Sequence, residues 1–353
     1  MKKFISLFIW IMYGLMIHIS AQVKYDFIVP DDGDVACAIR KANTRNDKDK
    51  RFYIFIRRGT YVLQGDGDTL TNVENGCEVK FPSPITRLTA PKTSIIGEGM
   101  DNTILENRPQ HEGIRLTSTL YLDGADSTLI EDLQLWCNFN NDPGAFANRA
   151  VALNEKNCRG NILRRVKLRS TQDTYFTNDG GTTYLEDCHI AGTVDFICGG
   201  GTVYFNRCNL ELVERGKTGG RDVITAAATP KLQDYGYVFN ECRICGAESQ
   251  NGRYMLGRPW RNAPRVVFLN TVMDMIPARE GWTEMHGTVP TLFAEYESRD
   301  KSGELIDLSE RKTIFHDPDG GEVKVEFSPS LPENEKALYD ISNVFGGWDP
   351  SIR

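Results

Sequence analysis

The sequence predicts an all-β protein wound as a single-stranded, right-handed parallel β-helix, and three observations lead there. A short pattern recurs as LIEDLQL from Leu129, ILRRVKL from Ile162, YLEDCHI from Tyr184, YFNRCNL from Tyr204, VFNECRI from Val238 and FLNTVMD from Phe268. Each copy reads as two apolar positions, two polar ones and then alternation. The starts lie 33, 22, 20, 34 and 30 residues apart, a period that belongs to structures stacked from rungs. β-Branched and aromatic residues occupy alternating sites between Gly, Asn and Asp punctuation, so the rungs are strands joined by turns. Coils about 4.8 Å apart then stack like residues into columns.

Taken in order, the chain opens with Lys2 and Lys3, the apolar run Phe4 to Ile19, and Ser20-Ala21 before Gln22. This is the layout of a secretory signal over residues 1–21, and residues 22–353 are expected to form one β-helix domain, as repetitive β folds of this length do. The product is then periplasmic or extracellular, free of the membrane once the signal is cut. DVACAIRKAN, from Asp34, reads as a short amphipathic helix capping the open end of the core. RFYIFIRRGTYVL and SIIGEGMDNTILEN follow as strands. Beyond Trp282 the chain turns polar, which predicts a loop-rich, partly helical tail packed along the side of the coils. DDGD at Asp31 and the DPDGG turn at Asp317 carry fragments of calcium loops without a full ligand set, so turn chemistry is the better reading.

The formal net charge of −7 falls to −9 when Lys2 and Lys3 are removed, which argues against tracking nucleic-acid phosphates. All nine cysteines follow Ala21, so in an oxidising compartment at least one is unpaired. The fifth position of the repeat gives Leu133, Val166, Cys188, Cys208, Cys242 and Val272, an inward column in which the cysteines act as small buried hydrophobes. The seventh gives Leu135, Leu168, Ile190, Leu210 and Ile244. The Cys242–Cys245 pair stands alone and lies inside a strand pattern, which argues against zinc.

Polar candidates can be placed by their offset from the next rung. Asp173 lies 11 residues before Tyr184, Asp195 lies 9 before Tyr204, Arg258 lies 10 before Phe268 and Arg149 lies 13 before Ile162. Four charged groups on different coils therefore gather on one outer face. One reading is a structural ion-pair ladder. The other is catalytic: two neighbouring carboxylates split their pKa values, one staying ionised and one keeping a proton. Arg258 beside one aspartate would keep it ionised, and Gln172 would offer an amide donor to a developing oxyanion. Such a pair can cleave an ester or a glycosidic bond by covalent catalysis. No G-x-S-x-G elbow, HExxH or phosphate loop competes. His189 alternates outward from its strand and reads as a surface residue.

At these residues the chain resembles the pectin methylesterase (pectinesterase) family, the aspartyl carbohydrate esterases of carbohydrate esterase family 8. The resemblance rests on QDT at Gln172, GTVDFI at Gly192, LGRPW at Leu256 and GW at Gly281, with support from RAVAL at Arg149, IIGEG at Ile95 and FAEY at Phe293. It covers nearly the whole chain after residue 21. It implies a pectin-lyase-like β-helix and an ester hydrolase acting on methyl-esterified galacturonan or its oligosaccharides. Asp195 would be the nucleophile, Asp173 the general acid and base, Gln172 an oxyanion donor, Arg258 the residue that holds Asp195, and Trp260 a platform for the sugar. No metal or organic cofactor is implied, and the chain is expected to act as a monomer. The chain departs from the family pattern where Arg149 replaces a usual glutamine, Tyr175 a leucine and Cys198 an aromatic, and where the early motif Gly59-Thr60-Tyr61-Val62-Leu63 lacks its glutamate. Arg149 and Tyr175 are therefore expected, with Trp260, to touch substrate. The alternatives are a glycan-binding or other acyl-hydrolysing member of the fold, and a β-helix lyase or glycosidase.

Overall fold

Residues 24–74, 76–139, 148–215 and 221–350 are described by a computed structural model; the expected signal at 1–21 lies outside them. Two curled sheets carry the architecture, one of seventeen strands and one of seven, and every pairing within them is parallel. The neighbours in each sheet are one coil apart in sequence, which is the parallel β-helix expected from the repeat.

The seven-residue pattern has a mechanical origin. Its fourth residue takes a left-handed backbone conformation in successive rungs: Asp132, Arg165, Asp187, Arg207, Glu241, Asn270 and Glu297 all have φ between 48° and 58°. A residue at positive φ turns the strand, so each rung bends there and the alternation restarts. The cost of that conformation is moderated by a ladder of ion pairs along the corner, including Arg165 Nε to Asp132 Oδ1 at 2.7 Å and Arg207 Nε to Asp187 Oδ1 at 3.0 Å. The second position faces inward. It stacks Phe205 on Phe239 at 4.4 Å and Phe239 on Phe268 at 4.4 Å, both nearly parallel.

Registers confirm the rungs starting at Leu129, Ile162, Tyr184, Tyr204 and Val238. The last rung is displaced by one residue: Val238 pairs with Val267, not Phe268. In the run VVFLN the apolar pattern does not mark its own start, and the corner residue Asn270 does. The column below Cys242 is therefore continued by Thr271, which is buried, while the expected Val272 pairs with Arg243 and is half-exposed. Cys188, Cys208 and Cys242 are buried free thiols in the core, as the repeat requires, and all nine cysteines are free.

The N-terminal helix spans Val35–Thr44, with Asp34 capping it by accepting from the Cys37 amide. Val35, Ala38, Ile39 and Ala42 are its buried face and pack on the first coil. At the other end the tail forms a hairpin, Ile314–His316 with Glu322–Lys324, whose turn is tied by Asp317 Oδ1 to the amides of Asp319 and Gly321. Short helices at Glu333–Tyr339 and Ile341–Val344 follow. Leu331, Val344, Phe345 and Trp348 pack over Tyr184, Tyr204, Val238 and Val267. The first position of the pattern is apolar because this tail covers it.

Candidate active site

The seven-stranded sheet builds the site. Asn154, Phe176, Cys198, Ala226 and Arg258 stand in register across five of its strands, so side chains far apart in sequence form one outward row. Asp195 lies in Val194–Gly199, where the pairing with Val223–Ala227 carries an extra residue between Val194 and Ile197. A bulge of this kind re-aims a side chain, and Asp195 has φ 52°. Asp173, with φ 63°, lies just before Tyr175–Thr177. Two glycines permit the close approach: a Cβ at Gly192 would lie 2.2 Å from Phe196 Cβ, and one at Gly257 would lie 2.1 Å from Thr225 Oγ1.

Asp173, Asp195, Gln172, Arg149, Trp260, Cys198, Ile114, Ala226 and Met285 line one cleft of about 220 Å³. Arg258 forks onto Asp195, Nε to Oδ1 at 2.7 Å and Nη2 to Oδ2 at 2.5 Å. Both aspartates belong to the outer face yet are nearly covered, at 5% and 3% exposure. Burial raises the pKa of both. Asp173 is pushed up to about 7 by burial and by the neighbouring Asp195 charge. Burial raises Asp195 too, but the guanidinium of Arg258 opposes the rise. Asp173 is therefore the member of the pair that keeps its proton.

Arg149 reaches the cleft wall and bridges in parallel to Gln172. It is held by Glu112, whose Oε2 accepts from Arg149 Nε at 3.0 Å and whose Oε1 accepts from Nη2. Trp260 meets the edge of Phe176 with ring centres 6.2 Å apart, and the Arg261 guanidinium lies 4.4 Å over its indole. The Cys198 thiol is buried against Asp173, and burial with the two aspartates pushes its pKa well up. It is thus a neutral thiol beside Asp173, not a nucleophile.

The expectation that Tyr175 touches substrate is overturned. Its ring is fully buried in the core, and its hydroxyl donates to Glu155 Oε2 at 2.6 Å. Alternation after the left-handed Asp173 sends residue 175 inward and Phe176 outward. Sequence reasoning missed Phe176, although alternation within YFT could have found it. Glu112, Ile114 and Met285 come from loops with no rung offset, and no signal in the sequence marked them. His189 does face outward, half-buried against Glu211, with Nε2 and Oε2 2.6 Å apart. Among the described residues no group of three His, Cys, Asp or Glu is placed to hold a metal ion.

The fold and the site together define a parallel β-helix protein that carries a buried carboxylate pair, one member clamped by arginine, in a surface cleft. The family model described as Pectinesterase matches residues 85–313. A probable pectinesterase of Arabidopsis thaliana, number 56, is 30% identical over 276 residues, covering 74% of this chain and 85% of that protein. On these two grounds the chain belongs to the pectinesterase family. Pectinesterase/pectinesterase inhibitor U1 of Solanum lycopersicum is 30% identical over 293 residues, 78% of this chain and 45% of that protein. The chain spans about half or less of the length of several such curated relatives. A crystal structure of a pectin methylesterase in complex with a hexasaccharide shares the fold, with a TM-score of 0.70, 23% identity, and coverage of 94% of this chain and all of that one.

Proposed function

We propose that this protein hydrolyses the C6 methyl esters of galacturonate units in pectin or a related acidic glycan. The observation that carries the reading is the pair of buried carboxylates facing one cleft, with Arg258 forked onto only one of them. Membership of the pectinesterase family supports it.

The chemistry follows from the charge asymmetry. Asp195, held by Arg258, attacks the ester carbonyl carbon with a carboxylate oxygen, and the carbonyl oxygen takes up the negative charge. Gln172, which lines the cleft, donates its amide to that oxygen in this reading. As the tetrahedral centre collapses, the C–OCH₃ bond breaks and the proton of Asp173 passes to methoxide, releasing methanol. The acyl-enzyme is an anhydride between Asp195 and the sugar carboxyl. Asp173, now ionised, removes a proton from water as that water attacks the acyl carbon. Asp195 leaves as a carboxylate, the galacturonate acid departs, and Asp173 is protonated again. Trp260, at the cleft edge beside Phe176, offers an apolar face to the sugar.

The deciding experiment is methanol release from highly methylated pectin and from short methyl-galacturonate oligomers. Wild type should release methanol, and Asp195→Ala should not. Equal release by both proteins would sink the aspartyl mechanism. Glycan binding without methanol release would favour a binding protein on this fold. Export is part of the same proposal. It rests on the apolar run Phe4 to Ile19 after Lys2 and Lys3.

A further inference from the structure

The cleft holds a second arginine whose charge is already matched. Arg149 stands on the cleft wall with both aspartates, and its Nε and Nη2 are both committed to Glu112. The Glu112 carboxylate also accepts from the Arg149 backbone amide at 3.2 Å, and the Gly113 amide donates to the Arg149 carbonyl at 3.0 Å. The pair is thus zipped to the loop by four hydrogen bonds and is not a chance meeting of long side chains. Its members remain 50% and 41% exposed; Arg149 lines the cleft, and Glu112 stands directly behind it.

On the wall that carries the aspartates the charges stand in pairs, and the Arg261 guanidinium lies apart, over Trp260. Arg258 matches Asp195, Glu112 matches Arg149, and Asp173 carries its proton. A neutral wall has a consequence for a reaction that turns a neutral ester into an anion. A free guanidinium at that wall would attract the carboxylate made in each turnover, and would equally attract acidic units that need no hydrolysis. One engaged along its Nε–Nη2 edge presents no net charge to them.

We propose that Glu112 is a specificity-determining residue: by occupying Arg149 it keeps the cleft wall neutral, so that the cleft favours the methyl ester over the free acid. The proposal rests on the esterase reading above, and its role is to discriminate between substrate and product without touching the reacting atoms.

The test is binding of fully de-esterified trigalacturonate, measured by calorimetry on wild type, Glu112→Gln, Arg149→Gln and the double variant, at low and high salt. In Glu112→Gln the guanidinium is unmasked, and affinity for the acid should rise about three- to tenfold at low ionic strength. The gain should vanish near 0.5 M salt, roughly where screening removes such interactions, and should be absent in the double variant. The acid should also become the stronger inhibitor of methanol release, while KM for the methyl-ester oligomer moves by less than about twofold, since that unit carries no charge for Arg149 to attract. A merely structural role would shift ester and acid together and without salt dependence. Unchanged acid affinity in Glu112→Gln, or the same gain in the double variant, would overturn the proposal. Arg149→Gln gives an independent arm even if Glu112→Gln does not fold. Arg149→Gln leaves the Glu112 carboxylate uncompensated, so acid affinity should fall by roughly three- to tenfold at low salt and return to the wild-type value near 0.5 M salt and in the double variant. A loss that persists in the double variant would show that Arg149 binds the acid directly and would overturn the proposal. Absence of methanol release by wild type would overturn the esterase reading, whereas the binding arms decide the role of Glu112 by themselves.

Discussion

The proposed mechanism requires Asp173 to be an acid near neutrality, and burial beside a second carboxylate favours its protonated form. With its pKa pushed up to about 7, the proton needed for methanol departure is lost as pH rises through that value. The pH profile of kcat/KM should therefore fall above about 7, and it should fall again at low pH as Asp195 is protonated. The same shift bears on stability. A carboxyl whose folded pKa is raised contributes fully below the unfolded value near 3.9 and loses that contribution as pH rises through the folded one. Asp173→Asn, inactive, should thus melt above wild type at pH 8, by about 2–4 kcal/mol at most, and should show little gain at pH 4. Tyr175 gives the contrasting case. Its hydroxyl, with Thr183 Oγ1 and Asn161 Nδ2, surrounds the fully buried Glu155. Burial raises the pKa of Glu155 despite those donors, so the group is easiest to keep when neutral. Tyr175→Phe should cost about 1–3 kcal/mol of stability, with the cost growing as rising pH ionises Glu155, in thermal melts. Adjacency to the acid in sequence suggested contact with substrate, but one step along a strand reverses the side chain, and that geometry is what the sequence-based reading of Tyr175 lacked.

At the scale of the element, the site is a row across strands interrupted by one bulge. The offsets of Asp173, Asp195 and Arg258 from their rungs were readable because each coil repeats the same path, and a period exposes position without coordinates. The rung beginning at Val267 was misplaced by one for the complementary reason: a continuous apolar run has no phase, whereas its corner, Asn270 at φ 50°, does. Glu112 and Met285 were illegible because they reach the cleft from loops, where no period operates. The bulge yields a sharp expectation at Gly192. A methyl group there would meet Phe196 Cβ at 2.2 Å and Thr171 O at 2.7 Å, so Gly192→Ala must displace the strand that presents Asp195. Methanol release should drop at least tenfold by rough estimate, since small misplacements of reacting groups are costly, and urea melts should show a loss of about 1–3 kcal/mol.

Across the whole molecule, the stack is closed differently at its two ends: a helix at the start, and at the finish a buried ion pair under the last coils. Arg311 and Glu295 are 1% and 0% exposed and bonded at 2.7 Å, and Arg311 also donates to the Arg279 carbonyl at 2.9 Å. Removing one partner strands a charge. Arg311→Met should cost about 3–5 kcal/mol, and adding Glu295→Met should recover much of it, a pattern that a double-mutant cycle by chemical denaturation would read. The terminal segment acts over a longer range. Phe345 packs on Tyr204, Tyr339 on Tyr235, and Arg164 Nη2 donates to the Pro350 carbonyl at 2.7 Å, so the end of the chain is fastened to coils from its middle. A stack of repeats otherwise couples only neighbours. Under tension applied at the two ends, this chain cannot simply shed its last coil and continue turn by turn. The strap must tear away first, and when it does the outer tyrosines of several coils are bared together, so the strap serves as the molecule's mechanical fuse.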